Sequence, residues 1–117
     1  MRTRFVAGAI SLALAAPAAA ENWTRIGSSP LGDPLYIDVD SVAGSGSGRT
    51  IRYKTVTSDD YSVQTMALDC EARNFSLQRI ESYTSGGGLI DSVDGPFPTA
   101  DITPGSIAAA LEKLVCH

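Results

Sequence analysis

The chain has 117 residues, with 13 acidic and 9 basic side chains, a formal net charge of −4, two cysteines and one histidine. That length accommodates one domain. The acidic balance makes nucleic acid and anionic membrane poor partners, and two distant cysteines with one histidine fall short of the ligand set of a zinc site. Residues 1–20 stand apart: "MRTR" is a short positive head, "FVAGAISLALAA" an apolar run shorter than the ~20 residues of a membrane span, and "PAAA" places small residues at Ala18 and Ala20. The pattern predicts a signal peptide over 1–20, cut before Glu21, and nothing downstream is long and apolar enough to span a bilayer. Loss of Arg2 and Arg4 leaves 97 residues whose seven basic side chains face 13 acidic ones, a net charge of −6.

Period-2 stretches broken by Gly, Pro, Ser and Asp follow, the mark of short antiparallel strands. "NWTRIG" is the first, with Trp23 expected in the core. "LGDPLYIDVDSV" carries a strand from Pro34 through Leu35, Tyr36 and Ile37. "AGSGSG" reads as a flexible connector. "RTIRYKTV" places Ile51 and Tyr53 on one face and Arg52 and Lys54 on the other, as in a sheet with one wet face. "TSDDYS" reads as a turn. "VQTMALDCE" then keeps Met66, Leu68 and Cys70 in phase. In "NFSLQRIESY", Phe75 and Leu77 share a phase that Ile80 breaks, which predicts a bulge near Gln78 and Arg79 or an exposed isoleucine. "TSGGG" is a break, and "LIDSV" a last short strand.

The period then changes. "TPGSIAAALEKLV" offers Thr103 as N-cap, Pro104 at the first helical position, and an apolar stripe of Ile107, Leu111, Leu114 and Val115. Cys116 falls just past the last turn, where the chain can bend back to the sheet. Cys70 and Cys116 form an even set with one possible connectivity, and an exported chain meets an oxidising compartment. A disulfide tying helix end to strand is therefore expected, closing a loop worth on the order of 4 kcal/mol in the chain-entropy model. A redox Cys-x-x-Cys motif is absent, and His117 at the chain end has no third group to position it as a base. The fold class that follows is α+β, a small antiparallel β-sheet with a C-terminal α-helix bridged to it.

The stretches "YIDVDSV", "RTIRYKTV", "LDC", "SY" before a glycine-rich turn, and above all "ITPGSIAAALEKLVC" resemble the bacterial surface-adhesin protein E family, over roughly Trp23 to Cys116. The resemblance implies a surface-adhesin protein E-like domain over 21–117, with the sheet, helix and Cys70–Cys116 bridge already inferred, and adhesion to host proteins. Relatives place a tryptophan shortly before the "PGS" turn, where this chain has Thr99, Ala100 and Asp101. Some relatives are lipid-anchored through a cysteine at the first mature position, where this chain has Glu21, so no lipid anchor is expected.

Other constellations have plainer readings. "DVDSVAGSGSGR" begins like a calcium loop but carries Val42, Ala43 and Arg49 at its fifth, sixth and twelfth places, so a strand-end turn is expected. Asp59 with Asp60 and Asp91 with Asp94 suggest carboxylate pairs for glycoside cleavage, yet aspartates of this kind are ordinary in turns. Arg49, Arg52 and Lys54 are the single basic concentration. They are either a solvated face or a candidate binding surface for an acidic partner. No nucleophile–base pair, metal or cofactor motif is visible. The expected function is a non-catalytic binding module, exported to the periplasm, cell surface or medium, with protein partners at the envelope or in the host. Its free sheet edges suit a homodimer or an added strand. The alternative is a small secreted or periplasmic hydrolase or an enzyme inhibitor.

Overall fold

The computed structural model describes residues 21–116. The expected signal peptide over 1–20 and the terminal His117 lie outside the described residues. Seven antiparallel strands form one sheet: β1 (Trp23–Ser28), β2 (Pro34–Asp38), β3 (Gly48–Val56), β4 (Asp60–Asp69), β5 (Asn74–Thr84), β6 (Leu89–Asp94) and β7 (Ala100–Asp101). Helix α1 (Ile107–Val115) follows. The first six strands lie side by side in chain order, and β7 pairs with the start of β5. Among the described residues no helix is long and apolar enough to cross a membrane.

Alternation sets the two faces. On one, Leu35, Ile37, Ile51, Tyr53, Met66 and Leu68 are buried together with Ile102 and with Ala108, Leu111 and Val115 of α1. The helix is the roof of this core. Its apolar stripe supplies the contact, and Leu111 and Ile51 are fully buried. The Cys70–Cys116 bridge, with Cα atoms 5.6 Å apart, ties the residue after β4 to the C-cap of α1. Cys116 has left helical geometry there (φ −107°, ψ 99°), as its phase relative to Ile107 requires.

Local chemistry fixes the boundaries, and several differ from expectation. The helix cap is Ser106, whose side chain accepts the Ala109 N–H at 3.1 Å, and not Thr103. Gly105 at φ 79° is left-handed and cannot lie inside a helix, so Thr103 to Gly105 form a turn ahead of it. The turn before β4 is confined to Thr57–Asp60, where the Thr57 N–H donates to the Asp60 carbonyl at 2.8 Å. Tyr61 and Ser62 are therefore strand residues. The connector after β2 is tied down, because Ala43 and Thr50 exchange backbone hydrogen bonds and the Cys70 N–H donates to the Ser47 carbonyl. At Gly44 (φ 135°) a Cβ would stand 2.1 Å from the Gly48 carbonyl oxygen, so glycine is obligatory there. The bulge in β5 is real: the register passes from Thr65↔Arg79 to Met66↔Leu77, leaving Gln78 as the extra residue.

Candidate functional site

The helix leaves the second face of the sheet uncovered, and the register determines what stands on it. One cross-strand row runs Trp23, Asp38, Arg52, Thr65, Arg79, Asp94, since Trp23 faces Asp38, Arg52 faces Thr65, and Arg79 faces both Thr65 and Asp94. The next runs Tyr36, Lys54, Val63, Glu81, Ser92. A third brings Tyr61 opposite Tyr83. Four aromatic rings from four strands thus interleave with basic and acidic side chains.

Trp23 belongs to this face and not to the core, contrary to expectation. A single strand places Trp23 and Ile26 out of phase by three positions, and the bulge between Arg25 and Gly27 assigns Ile26 to the core. The Trp23 ring instead receives cations. The Lys54 ammonium lies 4.7 Å from its centroid, 5.1 Å from that of Tyr36 and 5.2 Å from that of Tyr61, and the Arg52 guanidinium carbon lies 5.6 Å from Trp23. Each such contact is worth about 0.5–2 kcal/mol, more as water is excluded. Burial pushes the Lys54 pKa below its ordinary value, against the pull of the Glu21 carboxylate, which raises it. Among the described residues no oxygen accepts a hydrogen bond from the Lys54 ammonium or forms an ion pair with it.

Arg52 has the opposite surroundings. Its Nη1 donates to Glu21 Oε2 at 2.6 Å and lies 3.7 Å from Asp38, while its Nη2 lies 3.6 Å from Glu81. Asp38 is itself buried and accepts N–H groups from Asn22 and Asp40, so it holds both the segment leading into β1 and the turn after β2. Arg79 extends the network by pairing with Glu81 and Asp94. Tyr61 and Tyr83 stack with centroids 5.0 Å apart and planes 14° from parallel, and the Tyr83 hydroxyl donates to Glu81. Burial, then the Glu81 carboxylate, raises the Tyr83 pKa. Beneath these groups Val63 is buried, so the face has a small apolar floor of its own. Glu21, Trp23, Arg52, Lys54, Tyr61 and Tyr83 wall a cleft of about 260 Å³ over it.

Of the three basic residues singled out in the sequence, Arg52 and Lys54 stand together here. Arg49 stands on the other face, where its guanidinium donates to the carbonyls of Val115, Gly46 and Gly48. Asp91 and Asp94, three positions apart on β6, point to opposite faces, and Asp59 and Asp60 sit at the β3–β4 turn. The aromatic members of the site and its carboxylates Glu21, Asp38 and Glu81 were not singled out from sequence as binding residues. The signal available was alternation within each strand, since Tyr36 is out of phase with the core residues Leu35 and Ile37, and Tyr61 with Met66 and Leu68.

No curated protein and no solved structure matches the chain. A family model does, that of surface-adhesin protein E, over residues 23–117. That span holds every strand, the helix, both bridged cysteines and all of the second face except Glu21, so the chain belongs to the surface-adhesin protein E family.

Proposed function

We propose that this protein is an exported, non-catalytic binding module of the bacterial envelope, adhesin-like toward an extracellular protein, and that the helix-free face is its contact surface. The observation that carries the reading is the side-chain content of that face. Trp23, Tyr36, Tyr61 and Tyr83 alternate with Arg52 and Lys54 on a sheet stiffened by the bridge. Trp, Tyr and Arg are the residues that dominate the energy of protein interfaces, and rigid rings lose little entropy on docking. Family membership supports the adhesin reading, and the charged head, apolar run and Ala-x-Ala end of residues 1–20 support export. Binding by such a surface needs no catalytic group.

The test is a pull-down of extracellular host and envelope proteins with the purified chain, beside Trp23→Ala and Arg52→Ala/Lys54→Ala variants. A saturable partner lost in both variants and kept by Arg73→Ala is expected. Retention by the face variants would move the contact elsewhere. Turnover in a hydrolase panel that disappears with Asp91→Asn or Asp94→Asn would replace the binding reading with catalysis. The intact mass of envelope-derived protein tests export: it should begin at Glu21 without a lipid.

A second contact has its own observation. Strand β6 is the outer edge of the sheet and exposes Leu89, Ile90 and Val93, at 58, 55 and 44%. An open edge with apolar side chains pairs readily with another strand, here that of a second copy. Light scattering should give a dimer that Ile90→Lys dissociates.

A further inference from the structure

We infer that the cleft walled by Trp23, Lys54 and Tyr61 is a binding site for an acidic sugar, a pyranose ring bearing a carboxylate. The inference rests on the reading of the helix-free face as the contact surface, and it names the chemistry this face takes.

Three features converge on that ligand. The Lys54 ammonium has three N–H donors and, among the described residues, no oxygen partner, while three rings at 4.7–5.2 Å hold it in place. A partly desolvated cation without an acceptor is completed by a carboxylate through charge-assisted hydrogen bonds. Arg52, by contrast, is already surrounded by Glu21, Asp38 and Glu81 and has no comparable need. Second, the walls are ring systems whose faces carry negative potential. The C–H face of a pyranose is apolar and weakly positive, so it complements them as a planar anion does not. Third, the rim alternates acceptors and donors. Glu21 presents a carboxylate oxygen, the Tyr83 hydroxyl, whose proton goes to Glu81, presents acceptor lone pairs, the Arg52 guanidinium presents N–H groups beyond the one given to Glu21, and vicinal sugar hydroxyls both give and receive. The cleft, about 260 Å³, lies just under the ~300–1,000 Å³ of sites for drug-sized ligands, the scale of a single sugar ring.

The chain's one tryptophan is Trp23, in the wall of the cleft, so fluorescence excited selectively at tryptophan reports on this site. The purified, disulfide-bonded chain is titrated with glucuronate, glucose and acetate at matched ionic strength. Saturation-transfer NMR on the sugar protons provides a second readout that does not depend on the tryptophan. Glucuronate is expected to give a saturable change, with glucose and acetate each about tenfold weaker or more. Lys54→Met, which keeps the stem but removes the charge, should abolish the preference for glucuronate over glucose. Arg73→Ala, remote from the face, should retain it. Circular dichroism confirms that each variant is folded, and Lys54→Gln repeats the test if Lys54→Met is not. Glucose or acetate binding as tightly as glucuronate, an unchanged preference in a folded Lys54 variant, or no saturable response overturns the inference. If a protein partner saturates on this face while glucuronate neither binds nor competes, the binding-module reading stands and the sugar site falls. If glucuronate binds with the expected preference and no protein partner saturates, the sugar site stands without it.

Discussion

Arg49 donates from Nε to the Val115 carbonyl at 3.1 Å, joining β3 to the last turn of α1 across 66 positions of sequence. Its Nη1 also donates to the carbonyls of Gly46 and Gly48, at 2.7 and 2.9 Å. The final carbonyls of a helix lack intrahelical donors and carry partial negative charge, so a cation there satisfies and neutralises them. We expect Arg49→Ala to lose about 0.5–1.5 kcal/mol in chemical denaturation. Arg49→Lys should recover less than half of that, because an ammonium cannot match the fork of a guanidinium. Binding through the opposite face should be unaltered in both.

The bridge holds the same helix end covalently. Cys116→Ser should destabilise the chain by about 2–5 kcal/mol, the usual cost of losing a native disulfide from a small exported domain. Alkylation of the denatured, unreduced protein should label neither Cys70 nor Cys116, and reduction should expose both. Native-like stability of Cys116→Ser would show that packing of α1 suffices.

Packing itself is testable by contrasting two leucines of α1. Leu111 has no exposed surface, whereas Leu114 is 42% exposed. Leu111→Ala should cost about 2–5 kcal/mol through lost burial and an unfilled cavity. Leu114→Ala should cost under about 1 kcal/mol. Equal effects on the denaturation midpoint would mean that the helix roofs the sheet by a different side.

Alkaline stability should follow Tyr53. Its phenol is buried in the core beneath α1, and burial pushes its pKa up to about 12 from 10.0. The unfolded chain releases this proton first, so the contribution is complete below about pH 10 and is lost as pH rises to about 12. In that window Tyr53→Phe should remove about 1.4 kcal/mol per pH unit from the slope of stability against pH. An unchanged slope in the variant would place the proton release elsewhere.

What the sequence disclosed followed from short-range rules. Alternation in "RTIRYKTV" assigns Ile51 and Tyr53 to the core and Arg52 and Lys54 to the other face, and the phase break between Leu77 and Ile80 marks the Gln78 bulge. The same alternation separates Arg49 from Arg52, although proximity in sequence grouped them as one basic surface. Three features were hidden for identifiable reasons. The Trp23–Tyr36–Lys54–Tyr61 cluster depends on the register of four strands, which no single segment encodes. Strand β7 has two residues, too few for any period, and pairs with β5 below the bulge, where β6 has already turned away. The sequence points to Thr103 as the cap of α1 because Pro104 suits a first helical position, whereas the left-handed backbone at Gly105 delays the helix and makes Ser106 the cap.

Strand order following chain order has a consequence for assembly. Each strand from β2 to β6 finds its neighbour in the segment that precedes it, so the sheet can grow by successive hairpins with one advancing edge at any moment. Only the β7–β5 pairing, the docking of α1 and closure of the bridge demand encounters between distant segments. A chain delivered from its N-terminal end can therefore zip as it arrives, with the advancing edge taken up by the next strand before a foreign one finds it.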